Sequence, residues 1–214
     1  MGKSTKGTVE GYRGLPVSFH LRKAVEGSRK LAILLPGLGY TAEAPVLHYA
    51  RKSFLLRSFD VLEINYRYDS EAYSGFSQTE IVEAVQFDAK AVIDEVLSSN
   101  SYEDYHLIGK SLGTIAAASE LKRADFKFAK AIWLTPLLHR EDVYFAVATC
   151  HHTSLLFMGD KDPYYHEGRF TQLQHNPNIT FHLIPGVGHS LEYPDQLSGS
   201  IEVLGNVIKE IDAF

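Results

Sequence analysis

Short apolar segments that alternate with longer amphipathic ones constrain the fold of this chain more than any other feature. The segment 30–35, KLAILL, is continuously apolar and stops at Pro36-Gly37, which is typical of a strand buried on both faces. Strands that alternate with helices predict a single doubly wound, mainly parallel α/β sheet flanked by helices. The predicted strands are 17–22, 30–35, 60–64, 105–108, 131–134, 154–158 and 179–184, and the predicted helices are 45–57, 79–97, 114–122 and 201–211.

Length and composition favour one domain. The chain has 214 residues, of which 45% are hydrophobic, so it can bury a substantial core. No Pro- or Ser-rich linker, internal repeat or low-complexity block divides it. We therefore expect residues 1–214 to form a single domain.

Charge and cysteine content exclude several classes of partner. The formal net charge is −5 and no basic run occurs, which argues against nucleic acid. Cys150 is the one cysteine, so neither a disulfide framework nor a cysteine metal cluster is expected. The first residues lack the apolar segment of a signal peptide, and no stretch approaches the roughly 20 apolar residues that cross a bilayer. These features predict a soluble cytoplasmic protein without a membrane partner, and they leave its oligomeric state open.

The stretch 105–118, YHLIGKSLGTIAAA, has two chemical interpretations. Gly109-Lys110-Ser111 could end a phosphate-binding loop, in which free backbone N–H groups surround the phosphate oxygens. The spacing of that motif places its first glycine at Asp104, where a carboxylate would repel the anion. A nucleotide-binding loop is therefore rejected.

The alternative is a nucleophile elbow, a strand, a tight turn and a helix that together present a serine. An apolar strand precedes the turn, and the alanine-rich residues 114–122 favour a helix after it. Glycines two positions before and after Ser111 leave room for close strand–helix packing. Ser111 is thus the candidate nucleophile. The charge of Lys110 beside it could favour an anionic leaving group, but a side chain at this position is expected to point away from the attack path.

A serine nucleophile needs a general base, and the base needs an orienting acid. In doubly wound sheets, catalytic groups gather at the carboxyl ends of the strands. Among ten histidines, His189 follows the last predicted strand on a turn that contains Gly186 and Gly188. His151 and His152 lack the spacing of a metal site. His189 is therefore the candidate base.

Two carboxylates follow the predicted strand 154–158, and both are candidates for the acid. Asp162 precedes Pro163, which favours an extended or turn backbone. Asp160 is closer to the strand and could instead cap the turn. We favour Asp162 over Asp160.

The order Ser111, Asp162, His189 in the motifs GKSLG, GDKDP and GVGHS resembles the α/β-hydrolase family. The segment 34–39, LLPGLG, is similar to the oxyanion loop of that family. The resemblance extends from about residue 17 to the last residue. It implies that Ser111 attacks a carbonyl carbon, His189 transfers the proton and Asp162 holds the imidazole. It also implies that the backbone N–H groups of Leu38 and Leu112 bind the oxyanion.

The sequence departs from the family pattern in two ways. The oxyanion loop often begins His-Gly, whereas here it begins Pro36-Gly37, so the support of a histidine ring is absent. Only about 18 residues, 135–152, separate the two strands between which family members insert a lid. The chain therefore resembles small hydrolases without a cap domain, and an open cleft of this kind suggests small or exposed acyl substrates.

The resemblance predicts a serine hydrolase that cleaves a carboxylic ester or thioester through an acyl-enzyme intermediate. Its partner would be a small acyl substrate, and it would require no metal or organic cofactor. Peptide, lactone or C–C bond hydrolysis and a non-catalytic binding protein remain alternatives. The residues expected to shape a substrate pocket, unless they only pack loops onto the sheet, are Tyr40, Tyr66, Leu137 and Tyr164.

Overall fold

Eight strands form one sheet in the computed structural model, which describes residues 4–214. Residues 1–3 of the predicted domain lie outside the described residues. The strands are β1 (Ser4–Glu10), β2 (Pro16–Arg22), β3 (Lys30–Leu35), β4 (Asp60–Asn65), β5 (Asp104–Lys110), β6 (Lys130–Leu134), β7 (Ser154–Gly159) and β8 (Ile179–Ile184). Their spatial order is β1-β2-β4-β3-β5-β6-β7-β8.

The sheet is parallel from β4 to β8, and β1 and β2 form an antiparallel edge. The prediction of a mainly parallel, doubly wound sheet is confirmed. All seven predicted strands are present, but β1 was not predicted. Most of its side chains are exposed at the sheet edge, so its sequence STKGTVE lacks the apolar signal of a buried strand.

Two layers of helices cover the sheet. The helices are α1 (Pro45–Leu56), α2 (Gln78–Ser99), α3 (Gly113–Glu120), α4 (Glu141–Ala148), α5 (Glu167–Leu173) and α6 (Leu197–Ala213). Helix α1 packs against α6 on one face, whereas α2, α3, α4 and α5 pack in succession on the other. Within residues 4–214, no helix combines the length and the apolar character that crossing a bilayer requires.

Strand β3 illustrates why both faces are apolar. Leu31, Ile33 and Leu35 belong to the core under α2 and α3, and Ala32 and Leu34 belong to the core under α1 and α6. Because side chains alternate along a strand, a strand buried on both faces has to be continuously apolar. This is the property that made the segment recognisable in the sequence.

The predicted helices are present, with small differences at their ends. Helix α2 begins at Gln78 because Ser77 and Glu80 form a reciprocal capping box. Helix α6 begins four residues before the predicted start. The sequence analysis did not predict α4 and α5, which have only eight and seven residues. Helix α4 lies in the segment between β6 and β7, which carries no cap domain.

The topology brings four loops to one edge of the sheet. Strands β3, β5, β6, β7 and β8 are consecutive neighbours in the sheet, and they run in the same direction. The segments that follow β3, β5, β7 and β8 therefore emerge side by side at the carboxyl end. They contain the predicted oxyanion loop, Ser111, Asp162 and His189.

Candidate active site

The turn between β5 and α3 holds Ser111 in a strained backbone conformation. Its φ is 52°, in the left-handed region that non-glycine residues seldom occupy. Helix α3 packs so closely on β3 that a Cβ at Gly113 would lie 1.9 Å from the carbonyl oxygen of Leu35. A Cβ at Gly109 would lie 3.1 Å from the Cβ of Ala117. These approaches explain both glycines of the motif and leave the serine at the tip of the turn.

The turn after β8 is held against the end of β7. Gly186 has a φ of 79°, and its N–H donates to Oδ1 of Asp160 over 2.7 Å. The N–H of Lys161 donates to the carbonyl of Val187, and a Cβ at Gly159 would lie 2.2 Å from that same oxygen. Asp160 thus anchors the histidine turn, which leaves the other candidate carboxylate, Asp162, for a different partner.

Ser111, His189 and Asp162 form a continuous chain of hydrogen-bonded groups. The distance from Ser111 Oγ to His189 Nε2 is 2.7 Å, and that from His189 Nδ1 to Asp162 Oδ2 is also 2.7 Å. The three residues are separated by 51 and 27 positions in the sequence and come from the ends of three strands. The structure therefore brings together the three side chains that the sequence analysis selected as candidate nucleophile, base and acid.

Asp162 is enclosed, whereas the histidine is partly accessible. The side chain of Asp162 has no exposed surface, and that of His189 is 29% exposed. The second carboxylate oxygen, Oδ1, accepts the N–H of Tyr164 over 2.8 Å. A buried carboxylate with both oxygens engaged fixes the orientation of the imidazole ring.

The loop after β3 lies directly against the serine turn. A Cβ at Gly37 would lie 3.2 Å from the Cβ of Ser111. Gly37 and Tyr40 exchange backbone hydrogen bonds, which places Leu38 at the tip of a tight turn. Leu112 follows the serine and is the N-cap of α3. Within residues 4–214, the N–H groups of Leu38 and Leu112 donate to no other protein group, so both are available to an oxyanion.

A tyrosine supports this loop in place of the histidine that the family pattern would supply. The hydroxyl of Tyr66 donates to the carbonyl of Pro36 over 2.7 Å in a buried position. Burial raises the pKa of Tyr66 far above its ordinary value, so the hydroxyl remains a donor. The sequence analysis assigned Tyr66 to a substrate pocket and did not detect this contact.

The four predicted pocket residues have different environments. Tyr66 lines a cavity of ≈ 270 Å³ beside the oxyanion loop, together with Leu38 and Tyr68. The ring of Tyr164 lies edge-on to His189, with centroids 5.1 Å apart, and stacks on His139. Tyr40, Leu137 and Tyr164 do not line this cavity, so the prediction of a pocket holds for Tyr66 alone. The hydroxyl of Tyr40 accepts the N–H of Val46, and Leu137 is buried in the core.

Three charged residues also line the cavity beside the predicted oxyanion loop. These are Glu43, Arg67 and Asp69, and Arg67 Nε donates to Asp69 Oδ1 over 3.1 Å. A larger groove of ≈ 450 Å³ lies between the starts of α1 and α6, but it includes none of the predicted site residues. Across residues 4–214, no group of three or more His, Cys, Asp or Glu side chains is arranged to hold a metal ion.

Lys110 makes a contact that the sequence analysis did not predict. Its side chain is buried and reaches the histidine turn. Its ammonium group donates to the carbonyl of His189 over 2.8 Å and to Oγ1 of Thr135 over 2.6 Å. The sequence offered no signal for this contact, because the partner lies 79 residues away along the chain.

Comparisons with known proteins identify the fold. The sequence matches no protein-family model and no curated protein sequence. A protein of unknown function from Agrobacterium tumefaciens, suggested to be an α/β hydrolase, is 21% identical with a TM-score of 0.75, over 97% of this chain and 95% of its own.

Two further solved structures have the same arrangement. A serine hydrolase without a lid from Xanthomonas campestris is 17% identical with a TM-score of 0.67, over 97% of this chain and 94% of its own. An esterase from Pyrococcus furiosus is 12% identical with a TM-score of 0.74, over 100% of this chain and 93% of its own. At such identities the likeness concerns the fold. The chain has the α/β-hydrolase fold, built without a cap domain.

Proposed function

We propose that the protein is a serine hydrolase that cleaves a carboxylic ester or thioester through an acyl-enzyme intermediate. The observation that carries this proposal is the chain of two 2.7 Å contacts from Ser111 through His189 to the buried Asp162. A hydroxyl is a weak nucleophile at neutral pH, and a positioned imidazole removes its proton as the attack proceeds.

In the first half of the reaction, Oγ of Ser111 forms a bond to the carbonyl carbon of the substrate. Its proton moves to Nε2 of His189, and the carbonyl oxygen becomes an oxyanion. As the intermediate collapses, the bond to the leaving group breaks. The leaving alkoxide or thiolate takes the proton from His189, and the acyl group remains on Ser111.

In the second half, water replaces the leaving group. His189 accepts a proton from the water as the water attacks the acyl carbon. The bond between the acyl carbon and Oγ of Ser111 then breaks, and His189 returns the proton to Oγ. The products are a carboxylic acid and the free enzyme. Asp162 stays ionised throughout and stabilises the imidazolium that forms twice.

The N–H groups of Leu38 and Leu112 bind the oxyanion in both halves. Each such donor contributes about 3 kcal/mol to transition-state stabilisation in comparable sites. The close approach of Gly37 to Ser111 supports this assignment, because it sets the loop beside the attacked carbon. The contact of Tyr66 with Pro36 keeps the loop in place.

The substrate is a small molecule. The cavity beside the oxyanion loop has a volume of ≈ 270 Å³, at the lower limit of ordinary ligand pockets. Ser111 and His189 do not line this cavity, so in the proposed complex it holds the end of a short acyl or alcohol group whose carbonyl lies at the serine. Longer groups would extend into solvent because no cap covers the site. No metal or organic cofactor takes part in the proposed reaction.

A fluorophosphonate probe and a panel of p-nitrophenyl esters and thioesters of increasing acyl length test the proposal. We expect the wild type to be labelled at Ser111 and to hydrolyse the short esters fastest. Ser111→Ala should abolish labelling and lower turnover by at least about 10⁴-fold, since it removes the nucleophile. Ser98→Ala, at an exposed serine in α2, is the matched control and should behave like the wild type.

The outcomes separate the alternatives. Labelling without turnover of any ester or thioester points to hydrolysis of a peptide, lactone or C–C bond by the same serine. A wild type that is neither labelled nor active on the panel contradicts the proposal and favours a non-catalytic binding protein.

A further inference from the structure

Lys110 is a buried cation at the centre of the candidate site. It is 1% exposed, although lysine is among the residues that are least often fully buried. Its ammonium group donates to Oγ1 of Thr135 over 2.6 Å and to the carbonyl of His189 over 2.8 Å. It also lies 4.9 Å from the centroid of the Tyr40 ring, within the range of a cation–π contact.

These partners come from three different segments. Thr135 follows β6, where its φ of 43° holds it in the left-handed region. His189 belongs to the turn after β8, and Tyr40 closes the turn that presents Leu38. Lys110 itself is adjacent to Ser111. One ammonium group therefore contacts the segments that follow β3, β6 and β8. It does not contact the segment after β7, which carries Asp162.

The cation keeps its proton despite its burial. Burial lowers the pKa of Lys110 to about 8, and the carboxylates of Asp162 and Glu192 oppose this effect. The group is thus mostly charged at neutral pH and loses its proton as the pH rises past about 8. A charged donor forms stronger hydrogen bonds to carbonyl oxygens than a neutral amine does.

We propose that the charged side chain of Lys110 is a positioning residue that fixes the backbone of the histidine turn, and through it the His189 ring, against Ser111. The inference rests on the proposed function of the triad. Lys110 does not touch the reacting atoms. It acts by holding the carbonyl of His189 to the end of β6, so that Nε2 stays within reach of the serine hydroxyl.

Lys110→Met tests the proposal, because methionine is apolar and of similar length but cannot donate. We expect kcat for a short ester to fall about 10- to 100-fold with KM changed less than about 3-fold, since a displacement of about 1 Å costs this much in rate. The rate of labelling by fluorophosphonate should fall in parallel. Lys122→Met, at an exposed lysine beyond the far end of α3, is the matched control and should leave both unchanged.

The pH dependence of kcat distinguishes a positioning role for the charged Lys110 from a purely structural role. Wild-type kcat should decline as the pH rises past about 8, because Lys110 loses its charge. The profile of Lys110→Met should be low and flat in the same range. The groups that face the ammonium are Asp162, Glu192, Thr135 and Tyr40. Tyr40 does not titrate there, since burial raises its pKa above 10.

Thr135→Val is a second variant in case Lys110→Met fails to fold. Both side chains are β-branched, so valine adds little strain at this φ but removes one acceptor from the ammonium. We expect the alkaline decline of Thr135→Val to move to lower pH than in the wild type, with a smaller loss of kcat than in Lys110→Met. An alkaline decline that stays in place in Thr135→Val contradicts the proposal.

Nuclear magnetic resonance of the His189 Nδ1–H separates failure of this inference from failure of the proposed function. The proton bonded to Asp162 should give a downfield signal in the wild type and in Ser111→Ala, identified by its loss in His189→Gln. We expect the signal to broaden or vanish in folded Lys110→Met even if no substrate is known. A Lys110→Met protein with the wild-type signal, labelling rate and pH profile overturns the proposal.

Discussion

Strand β5 carries two buried basic side chains that differ in their charge at physiological pH. His106 and Lys110 are four positions apart, on the same face of the strand and about 13 Å from each other. They are 3% and 1% exposed. Burial lowers the pKa of His106 to about 3, so it is neutral at physiological pH, whereas the pKa of Lys110 falls to about 8 and its charge persists.

The surroundings explain the difference. His106 lies among the rings of Phe54, Phe59 and Phe214, and neither ring nitrogen has a hydrogen-bond partner. The nearest carboxylate oxygen, on Asp104, is 3.7 Å from Nδ1. Lys110 instead has two oxygen acceptors, an aromatic face and the influence of two carboxylates. Burial penalises a charge at both ends of the strand, and the charge persists where polar partners surround it.

Asp162→Asn should have the largest effect, because it removes a carboxylate near the end of β5 that carries Lys110. The amide cannot hold the imidazole in the tautomer that accepts the serine proton, so kcat should fall by about 10⁴-fold. The pKa of Lys110 should also fall further below 10.5, as Asp162 now raises it. Ester hydrolysis and the titration of labelled lysine measure the two effects.

Asp160→Asn is the control for that substitution. The amide oxygen still accepts the N–H of Gly186, so the histidine turn should stay anchored and the loss of kcat should be far smaller. Equal losses in the two variants would show that Asp162 is not the orienting acid.

Gly113→Ala should have the next largest effect, and this effect is on stability. At the end of β5 that carries Lys110, helix α3 packs closely against the sheet. The added Cβ would meet the carbonyl oxygen of Leu35 at 1.9 Å, and backbone cannot move as a side chain can. We expect a loss of about 3 kcal/mol or more in the free energy of unfolding, measured in urea. Gly205→Ala, at an exposed position of helix α6 with open space around it, should instead gain up to about 1 kcal/mol.

His106→Phe should have the smallest effect and the opposite sign. Phenylalanine suits the aromatic surroundings and removes two unpaired nitrogens, so we expect a gain of about 1 kcal/mol in the free energy of unfolding. Since burial lowers the folded-state pKa of His106 from 6.5 to about 3, the unfolded chain binds a proton between these pH values that the folded protein does not bind. The penalty for burying the ring is therefore least above pH 6.5 and increases as the pH falls towards 3. The advantage of the variant should therefore increase over that range.

Unfolding midpoints at several pH values measure this effect, and exposed His175→Phe is the control. A difference between wild type and His106→Phe that stays constant from pH 6.5 to 3 would show that folding does not lower the pKa of His106.

The sequence predicts the layers of this fold well, because buried strands and amphipathic helices leave periodic apolar patterns. Segment 30–35 had to be apolar throughout to be buried on both faces, and its limits were predicted without error. Strand β1 was missed because an exposed edge strand is held by backbone hydrogen bonds, which any sequence can form. Helices α4 and α5 are too short to establish a helical period.

The candidate site was predictable to the extent that local backbone geometry imposes residue types. The glycines around Ser111 and the glycine turn before His189 are local requirements, and the topology then brings the loops together. The roles of Lys110, Tyr66 and Asp160 were not predictable. Each forms a hydrogen bond with a residue 26 to 79 positions away along the chain. A contact between residues so far apart in the sequence produces no periodic pattern.

The phenol of Tyr66 lines the cavity and also braces Pro36, and this double position has a consequence for selectivity. In the proposed reaction, a group too bulky for the cavity has to push the ring aside, and this releases the carbonyl of Pro36. Oversized esters would then meet a loosened oxyanion loop as well as a steric obstacle. Discrimination by size should accordingly appear in turnover and not in binding alone.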